Sequence, residues 1–529
     1  MSELVSAPAS TSEAAASDLA RSASVLALGS VTSRALGLVR ETLIADLFGA
    51  TGPVSAFRLA SRVPLMIYDL LIGGMLSAAL VPVLSDYARP ERRRELWPAA
   101  SVLLSVLSAL LALLVLLLEL FAPQVAWVLG GGFDPELLSL LTRLLRILAP
   151  AVLFLGVAGV FMGLLYALKR FTFPAFGAAA FNLGIVITIV LLAGRIDVYS
   201  LALGVFVGSL GQLAIQMLGL RDARLRPSFN WRHPALRRVV QLYLPIGAGM
   251  IISQIQVTID GNLASRTGPN SVAWMQNATT LIQFPHGLVA VAISIASLPS
   301  LSQLAVAADW DGYRQTLGRA LRLLLYLILP ATVGLWVMAT PMVRLIFEHG
   351  AFRPEDTAAV VAALRLYLLG LIFAAVDWPL NYAFYAQQDT LTPATVGVIS
   401  VGVYLVAALA LLEPMGYLGL VLADSTKHMA HALIMLVLLH RRIGGLGDQG
   451  ILWAAARSAG AAALMGVLVW RALLEIESSL PVGMLWADLV VVAAGGLLAL
   501  AVYGIATVLL RVEEASLLWD TAIRRMRRN

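Results

Sequence analysis

The sequence predicts an all-α polytopic membrane protein of about 14 transmembrane helices: two parallel six-helix repeats forming two lobes, then two C-terminal helices. Composition, the sorting of charge among loops and an internal duplication carry that prediction. Of 529 residues, 60% are hydrophobic and 13% charged, with a mean hydropathy of +0.86; soluble domains carry roughly 25% charge. Many apolar runs reach the ~20 residues that cross a bilayer core. The absence of cysteine excludes disulfides, thiolate metal sites and cysteine nucleophiles. Residues 1–22 are small, polar and acidic without a basic leading stretch, and they read as a disordered cytoplasmic tail, not a signal peptide.

Candidate spans begin near residues 24, 54, 97, 137, 174, 198, 241, 271, 317, 356, 393, 416, 451 and 485. The loops between them sort by charge. One side holds "ARPERRRE" (88–95), Lys169–Arg170, six arginines between 221 and 238, Arg441–Arg442 and the terminal "RRMRR" (524–528). The other side holds "GGGFDPE" (130–136), "EHGAFRPED" (348–356) and the Glu475–Glu477 stretch. Arginine excess marks the cytoplasmic side of a membrane protein, so both termini are expected there, which requires an even number of spans.

The duplication shows in four motifs that recur in order. "TGPVS" at 51–55 returns as "TGPNS" at 267–271, and "PVLS" at 82–85 as "PSLS" at 299–302. "GGFDPE" at 131–136 returns as "GAFRPE" at 350–355, and "YALKRFTFPA" at 166–175 as "YAQQDTLTPA" at 385–394. The offsets are 216, 217, 219 and 219 residues. Six spans per copy bring both copies into the membrane from the same side, a plan used by transporters that bind substrate between two lobes. The expected organisation is an N-terminal six-helix lobe over 23–220, a basic cytoplasmic linker over 221–240 and a C-terminal six-helix lobe over 241–442. Two additional helices follow over 443–512, then a basic cytoplasmic tail over 513–529.

Charges inside the spans single out candidate sites, because a charge at the bilayer centre costs at least ~2.5–3.5 kcal/mol. The first span carries Arg34, Arg40, Glu41 and Asp46; the second carries Arg58, Arg62 and Asp69. Arg58 and Arg62 are four apart and share a helix face. Arginines outnumber acids on these faces, and a guanidinium fork matches phosphate or carboxylate. An anionic, phosphate-bearing ligand is therefore expected against the first lobe. For Glu41 and Asp69 the alternative is that they pair with neighbouring arginines and only lock helices together.

The second copy differs. Its first span has Gln254, Gln256 and Asp260, and its fourth ends with Asp377 and Asn381 on one face. Oxygen-rich groups on two helices suit a small hard cation or a proton, although Asp260 as a hydrogen-bonded group and the amides as interhelical glue remain open. Asp424 and Lys427 are close enough to neutralise each other; His428 and His431 read as cavity lining or a structural pair. No Walker loop, acidic glycosyltransferase pair or nucleophile motif is present, so the expected protein is a transporter without enzymatic activity.

The chain resembles the MurJ/MviN lipid II flippase family, within the multidrug/oligosaccharidyl-lipid/polysaccharide exporter superfamily. The motifs are "SRALGLVRE" (33–41), "FGATG" (48–52), "LVPVLSDY" (80–87), "FPAFGAAAFNLG" (173–184), "VAWMQNATTLIQFPHGLVAVAISIASLPSLS" (272–302) and "AFYAQQDTLTP" (383–393). The resemblance implies translocation of undecaprenyl-diphosphate-linked peptidoglycan precursor from the cytoplasmic to the outer leaflet by alternating access. It implies a bacterial cytoplasmic membrane location, with the lipid-linked glycan, membrane lipids and cell-wall synthesis proteins as partners and no nucleic acid. By resemblance, Arg34 and Arg40 line the central cavity where the diphosphate binds, and Arg62 stands where the family often has a basic residue; Glu41 and Arg58 complete the expected substrate-binding set. Asp260, Asp377 and Asn381 fall near places where some members hold sodium, the one ion expected as a coupling cofactor. The departures are Tyr68 and Thr280 where the family commonly has arginine, and Gly73 where it has glutamate; Arg58 is expected to compensate. Other outcomes compatible with the residues are a flippase for a different polyprenyl-linked glycan and a transport-inactive scaffold for cell-wall enzymes.

Overall fold

The computed structural model describes residues 9–481 and 484–516, and all regular structure among them is helical. Contacts divide the chain into two units, Met1–Pro269 and Asn270–Asn529. The first holds α1 (Ala9–Phe48), α2 (Gly52–Asp69), α3 (Val81–Tyr87), α4 (Arg93–Leu120), α5 (Ala122–Gly130), α6 (Pro135–Ala167), α7 (Thr172–Ile196), α8 (Tyr199–Leu218) and α9 (Pro234–Ser265). The second holds α10 (Ser271–Pro285), α11 (Val291–Val306), α12 (Trp310–Val337), α13 (Ala339–Phe347), α14 (Pro354–Ala386), α15 (Leu391–Met415), α16 (Tyr417–Ile443), α17 (Ile451–Ser479) and α18 (Leu485–Leu509).

The duplication is legible in the backbone. α6 and α14 are each 33 residues long and start 219 residues apart; α7 and α15 are each 25, at the same offset. Left-handed residues recur with them: Gly49 and Gly268, Lys169 and Gln388, Asp197 and Gly416 are each separated by 219. The recurring Phe-x-Pro-Glu motif is a helix start in both copies. Asp134 accepts from the backbone N–H of Leu137 at 2.8 Å with Pro135 at the first helical position, and the Arg353 N–H donates to Asp356 at 3.0 Å with Pro354 at that position. Proline there gives up only an N–H that has no helical acceptor. The second helix of each copy is interrupted in the same way, by π-helical turns at Leu70–Leu80 and at His286–Ala290. Such bulges concentrate at functional sites.

Helix pairing repeats as well. α2–α6, α4–α6, α6–α8 and α7–α8 in the first unit correspond to α10–α14, α12–α14, α14–α16 and α15–α16 in the second. The α7–α8 crossing is set by Gly184 and Gly208: a Cβ on Gly208 would stand 2.4 Å from the Phe181 carbonyl oxygen. Small residues let helices approach where no water drives them together. The exception to the symmetry is the first helix of each copy. α1 packs on α7, whereas α9 packs on the first unit's π-helical turn and on α5. The unit boundary therefore lies at 269/270 and not at the basic linker 221–240. The reason is visible on α9: Asn262 donates to the carbonyls of Trp127 and Val128 at 3.2 and 2.9 Å, and Ser265 Oγ accepts from Gly132 N at 2.9 Å.

Ten helices among the described residues are long and apolar enough to cross a membrane. They are α4, α6, α7, α8, α12 and α14 to α18. The remaining long stretches are α1, α2 to α3, α9 and α10 to α11. α1 also corrects the expected disordered tail, since it begins at Ala9. Its first turns, "ASTSEAAASDLA", are alanine-rich, and alanine is the strongest helix former. Residues 1–8 and 517–529, including "RRMRR", lie outside the described residues. At the other end, α17 packs on α12 and α18 on α17 and α13, with Tyr503 donating to the Tyr326 carbonyl at 2.7 Å. Glu514, expected in the basic tail, is buried against Arg322 at 2.8 Å.

Matching loops carry ion pairs of opposite polarity. Arg170, after α6, holds Asp222 at 2.5 and 2.8 Å; Asp389, after α14, holds Arg442. Arg170 and Asp389 are 219 residues apart, Asp222 and Arg442 are 220. The Thr392 backbone N–H, first, and then its hydroxyl and Arg442 hold the Asp389 carboxyl below the usual aspartate range. A depressed carboxyl stabilises the fold above its unfolded pKa of about 3.9 and loses that contribution as pH falls through the folded value. Asp389→Asn is therefore expected to lower the melting temperature at neutral pH, with the gap to wild type closing below about pH 4. A gap that persists unchanged at acid pH would place the effect elsewhere than in this carboxylate.

Candidate substrate-binding site

Glu41 is the centre of the first unit's polar cluster. It lies on α1, is 4% exposed, and accepts from both Nη atoms of Arg58 on α2, one of them at 3.1 Å. Arg40 closes on the same carboxylate with Nε at 3.2 Å and Nη2 at 2.6 Å. The other nitrogen of Arg40, Nη1, donates to Asn182 Oδ1 on α7 at 2.9 Å. Asn182 Nδ2 in turn donates to the Ser33 carbonyl at 3.2 Å. Ser33 and Arg40 are seven apart and so on one face of α1, which is why one amide from α7 reaches both.

This arrangement corrects the expected roles of two residues. Arg58 is 8% exposed, its two Nη atoms are spent on Glu41, and its Nε has no hydrogen-bond partner. It is no free phosphate ligand and does not compensate for missing arginines. Glu41 likewise contacts arginine, as the alternative reading of the sequence allowed. Together they fix α1 to α2 and orient Arg40. Arg40 keeps 24% of its side chain exposed, and Arg34 is exposed without an ion pair or side-chain hydrogen bond among the described residues.

Arg62, one turn beyond Arg58, reaches α9: its Nη1 donates to the Val257 carbonyl at 3.1 Å. Gly261, one turn along α9, makes room for it, since a Cβ there would stand 2.7 Å from Nη1 and 2.8 Å from Leu59 Cδ2. Both atoms are ends of flexible side chains. Gly261→Ala is therefore expected to leave expression and melting temperature near wild type while displacing Arg62 and slowing transport several-fold. Normal transport in proteoliposomes would show that the seat of Arg62 is irrelevant.

The positions that depart from the family pattern supply no cation. The Tyr68 hydroxyl accepts from Gln212 Nε2 of α8 at 2.6 Å, and the Thr280 hydroxyl donates to the Gln276 carbonyl in its own helix at 3.0 Å. Gly73 lies within the first π-helical turn.

The expected sodium ligands belong to two different units. Asp260 belongs to the first unit, is partly buried and is not without a partner. In the second, Asp377 Oδ1 faces His431 Nδ1 of α16 at 2.5 Å, and Asn381 Nδ2 donates to the Asp377 carbonyl at 2.8 Å. No group of three His, Asp or Glu among the described residues has metal-holding geometry. Nearby, Lys427 Nζ meets Asp424 at 2.5 Å, and Trp378 Nε1 donates to His286 Nε2 at 3.1 Å in the second π-helical turn. His431 and Asn182 are the polar residues whose partners the sequence did not reveal.

Fold and site together define a multi-pass membrane transporter built from two helical repeats, with surplus arginine in the first. The family profile described as lipid II flippase MurJ matches residues 44–490. The probable lipid II flippase MurJ of Vibrio cholerae is 31% identical over 86% of this chain and 89% of its own length. The lipid II flippase MurJ of Burkholderia cenocepacia is 30% identical over 78% and 81%. The chain belongs to the lipid II flippase MurJ family. Among solved structures, a lipid II flippase MurJ in an inward closed conformation aligns with a TM-score of 0.76 at 23% identity, covering 91% of this chain and 98% of that one. An inward-facing multidrug resistance MATE family transporter aligns at 0.66 and 13% identity, covering 79% and 96%. Both share the fold.

Proposed function

We propose that the protein is a lipid II flippase that carries undecaprenyl-diphosphate-linked peptidoglycan precursor from the cytoplasmic to the outer leaflet by alternating access. Family membership over both repeats carries this reading, and the guanidinium groups of Arg34, Arg40 and Arg62, which all keep exposed surface, suit a diphosphate. Glu41 and Arg58 act as positioning residues for Arg40. We place fourteen spans in the membrane, the ten apolar helices plus the four charged or interrupted stretches. The arginine-rich loops and both termini then lie on the cytoplasmic side, as the positive-inside rule requires.

A second reading, a flippase for another polyprenyl-linked glycan, is favoured by Tyr68 and Thr280, which are hydrogen-bonded where relatives of the family commonly place arginine. Rescue of a bacterium depleted of its own lipid II flippase tests both. Growth restored by the wild-type chain, together with lipid II translocation in proteoliposomes, supports the first reading. Failure of both with the protein inserted in the membrane would favour the second. Rescue that survives neutralisation of the exposed arginines would point to a transport-inactive scaffold.

A further inference from the structure

A cavity of about 750 Å³ opens between the start of α4 and the segment that follows α8. Its lining includes Arg93 and Arg94 from α4 and Arg224 and Arg226 from the segment. The one acid in the lining, Asp222, is held by both Nη atoms of Arg170. Four exposed guanidinium groups therefore face one cavity with no free carboxylate on its wall. The neighbouring cavity of about 540 Å³ carries fewer free cations: of its three arginines, Arg92 is paired with Asp86 and, at 2.8 Å, with Glu95, which leaves Arg237 and Arg238.

The wall is built, not draped. Arg226 N donates to Ser101 Oγ at 3.0 Å and Ser228 N to Ser105 Oγ at 2.9 Å, so two serines of α4 clamp the segment along the helix. The backbone that carries Arg226 is thereby fixed, so the segment needs little further ordering when a ligand arrives. The depth follows from the same residues. The long apolar run of α4 begins at Leu96, two residues after Arg94, and Trp97 lines the cavity. Phe229 and Trp231, next along the segment, are more than half exposed. Aromatic rings beside a cationic cluster at the end of an apolar helix mark the headgroup level of a bilayer.

We propose that this cavity binds the phosphate-bearing headgroup of an anionic phospholipid in the leaflet on the arginine-rich side of the membrane. Guanidinium forks meet the phosphate oxygens, Trp97 lies against the glycerol region, and Phe229 and Trp231 rest among the adjacent lipids. The site is separate from the Arg34, Arg40 and Arg62 set, and it does not depend on which glycan lipid is transported. Basic pockets at this depth are a recurring solution to anionic lipid recognition.

The full chain, reconstituted in equal parts phosphatidylglycerol and phosphatidylcholine, is extracted in mild detergent and its retained lipids counted by native mass spectrometry. Wild type should retain phosphatidylglycerol in excess. Arg93→Gln/Arg94→Gln/Arg224→Gln/Arg226→Gln should lose that excess by roughly fivefold or more. Arg224→Gln/Arg226→Gln, which leaves α4 untouched, should lose part of it should the fourfold variant fail to insert. Arg237→Gln/Arg238→Gln in the neighbouring cavity should retain it. Equal retention of the two lipids by wild type, or an undiminished excess in the double Arg224/Arg226 variant, would overturn the proposal. So would inorganic phosphate, added to protein in pure phosphatidylcholine, raising the melting temperature as far as phosphatidylglycerol does, because the site would then take free phosphate.

Discussion

Glu41→Ala is expected to destabilise the purified protein by about 3–5 kcal/mol, the range for breaking a buried pair by removing one partner. The geometry makes this the worst single loss in the cluster. Arg58 is 8% exposed and gives both Nη atoms to this one carboxylate, with its Nε already unsatisfied. Without Glu41, a full positive charge remains between α1 and α2 with no counterion. Arg40 is less affected, since it is 24% exposed and also bonded to Asn182. Glu41→Leu/Arg58→Met should recover much of the loss, because replacing a buried pair with apolar groups of similar size is often neutral or better. Thermal unfolding in detergent measures both, and the double variant isolates the pair term. A double variant as unstable as Glu41→Ala alone would mean that the carboxylate serves some other partner.

Much of the architecture was written in the sequence because a duplication leaves evidence at constant spacing. The four recurring motifs mark places where the backbone has little choice: a proline-led helix start at 135 and 354, a left-handed turn at 169 and 388. These positions survive divergence of everything around them. Packing partners were less legible. The motif offsets assign α9 to the second copy by ancestry, yet Asn262 and Ser265 tie it to the first unit, and no periodicity along α9 names its neighbour. The same limit applies within the site. The spacing of Arg58 and Arg62 correctly places them on one face of α2. It does not say that one turn of that face meets Glu41 and the next meets α9. Asn182 sat within a quoted motif as a lone polar residue in an apolar helix, a signal for an interhelical partner that did not identify Arg40. Asp377 and His431 are 54 residues apart, and only the packing of α14 on α16 brings them to 2.5 Å.

Arg40→Ala is expected to lower lipid II translocation by roughly tenfold to a hundredfold, the equivalent of one or two charge-assisted hydrogen bonds of about 1.5–3 kcal/mol, while the protein still inserts and folds. The two halves of that statement come from different contacts. The fold survives because Glu41 keeps its two-pronged contact with Arg58, so no charge is stranded. Transport suffers because Arg40 is the cluster's partly exposed guanidinium, aimed by Glu41 on one side and by Asn182 on the other. A bilayer gives no reason to keep such a group unless an anion meets it during the cycle. Arg40→Lys should fall between wild type and alanine, since it keeps the charge and loses the fork. Asn182→Ala should weaken transport less than Arg40→Ala, as the charge remains and only its aim is relaxed. Initial rates in proteoliposomes, set against the amount of folded protein by size exclusion, separate the two halves. Wild-type rates in Arg40→Ala would remove this arginine from substrate binding, and aggregation of the variant would show that the Glu41–Arg58 pair alone does not hold α1 to α2.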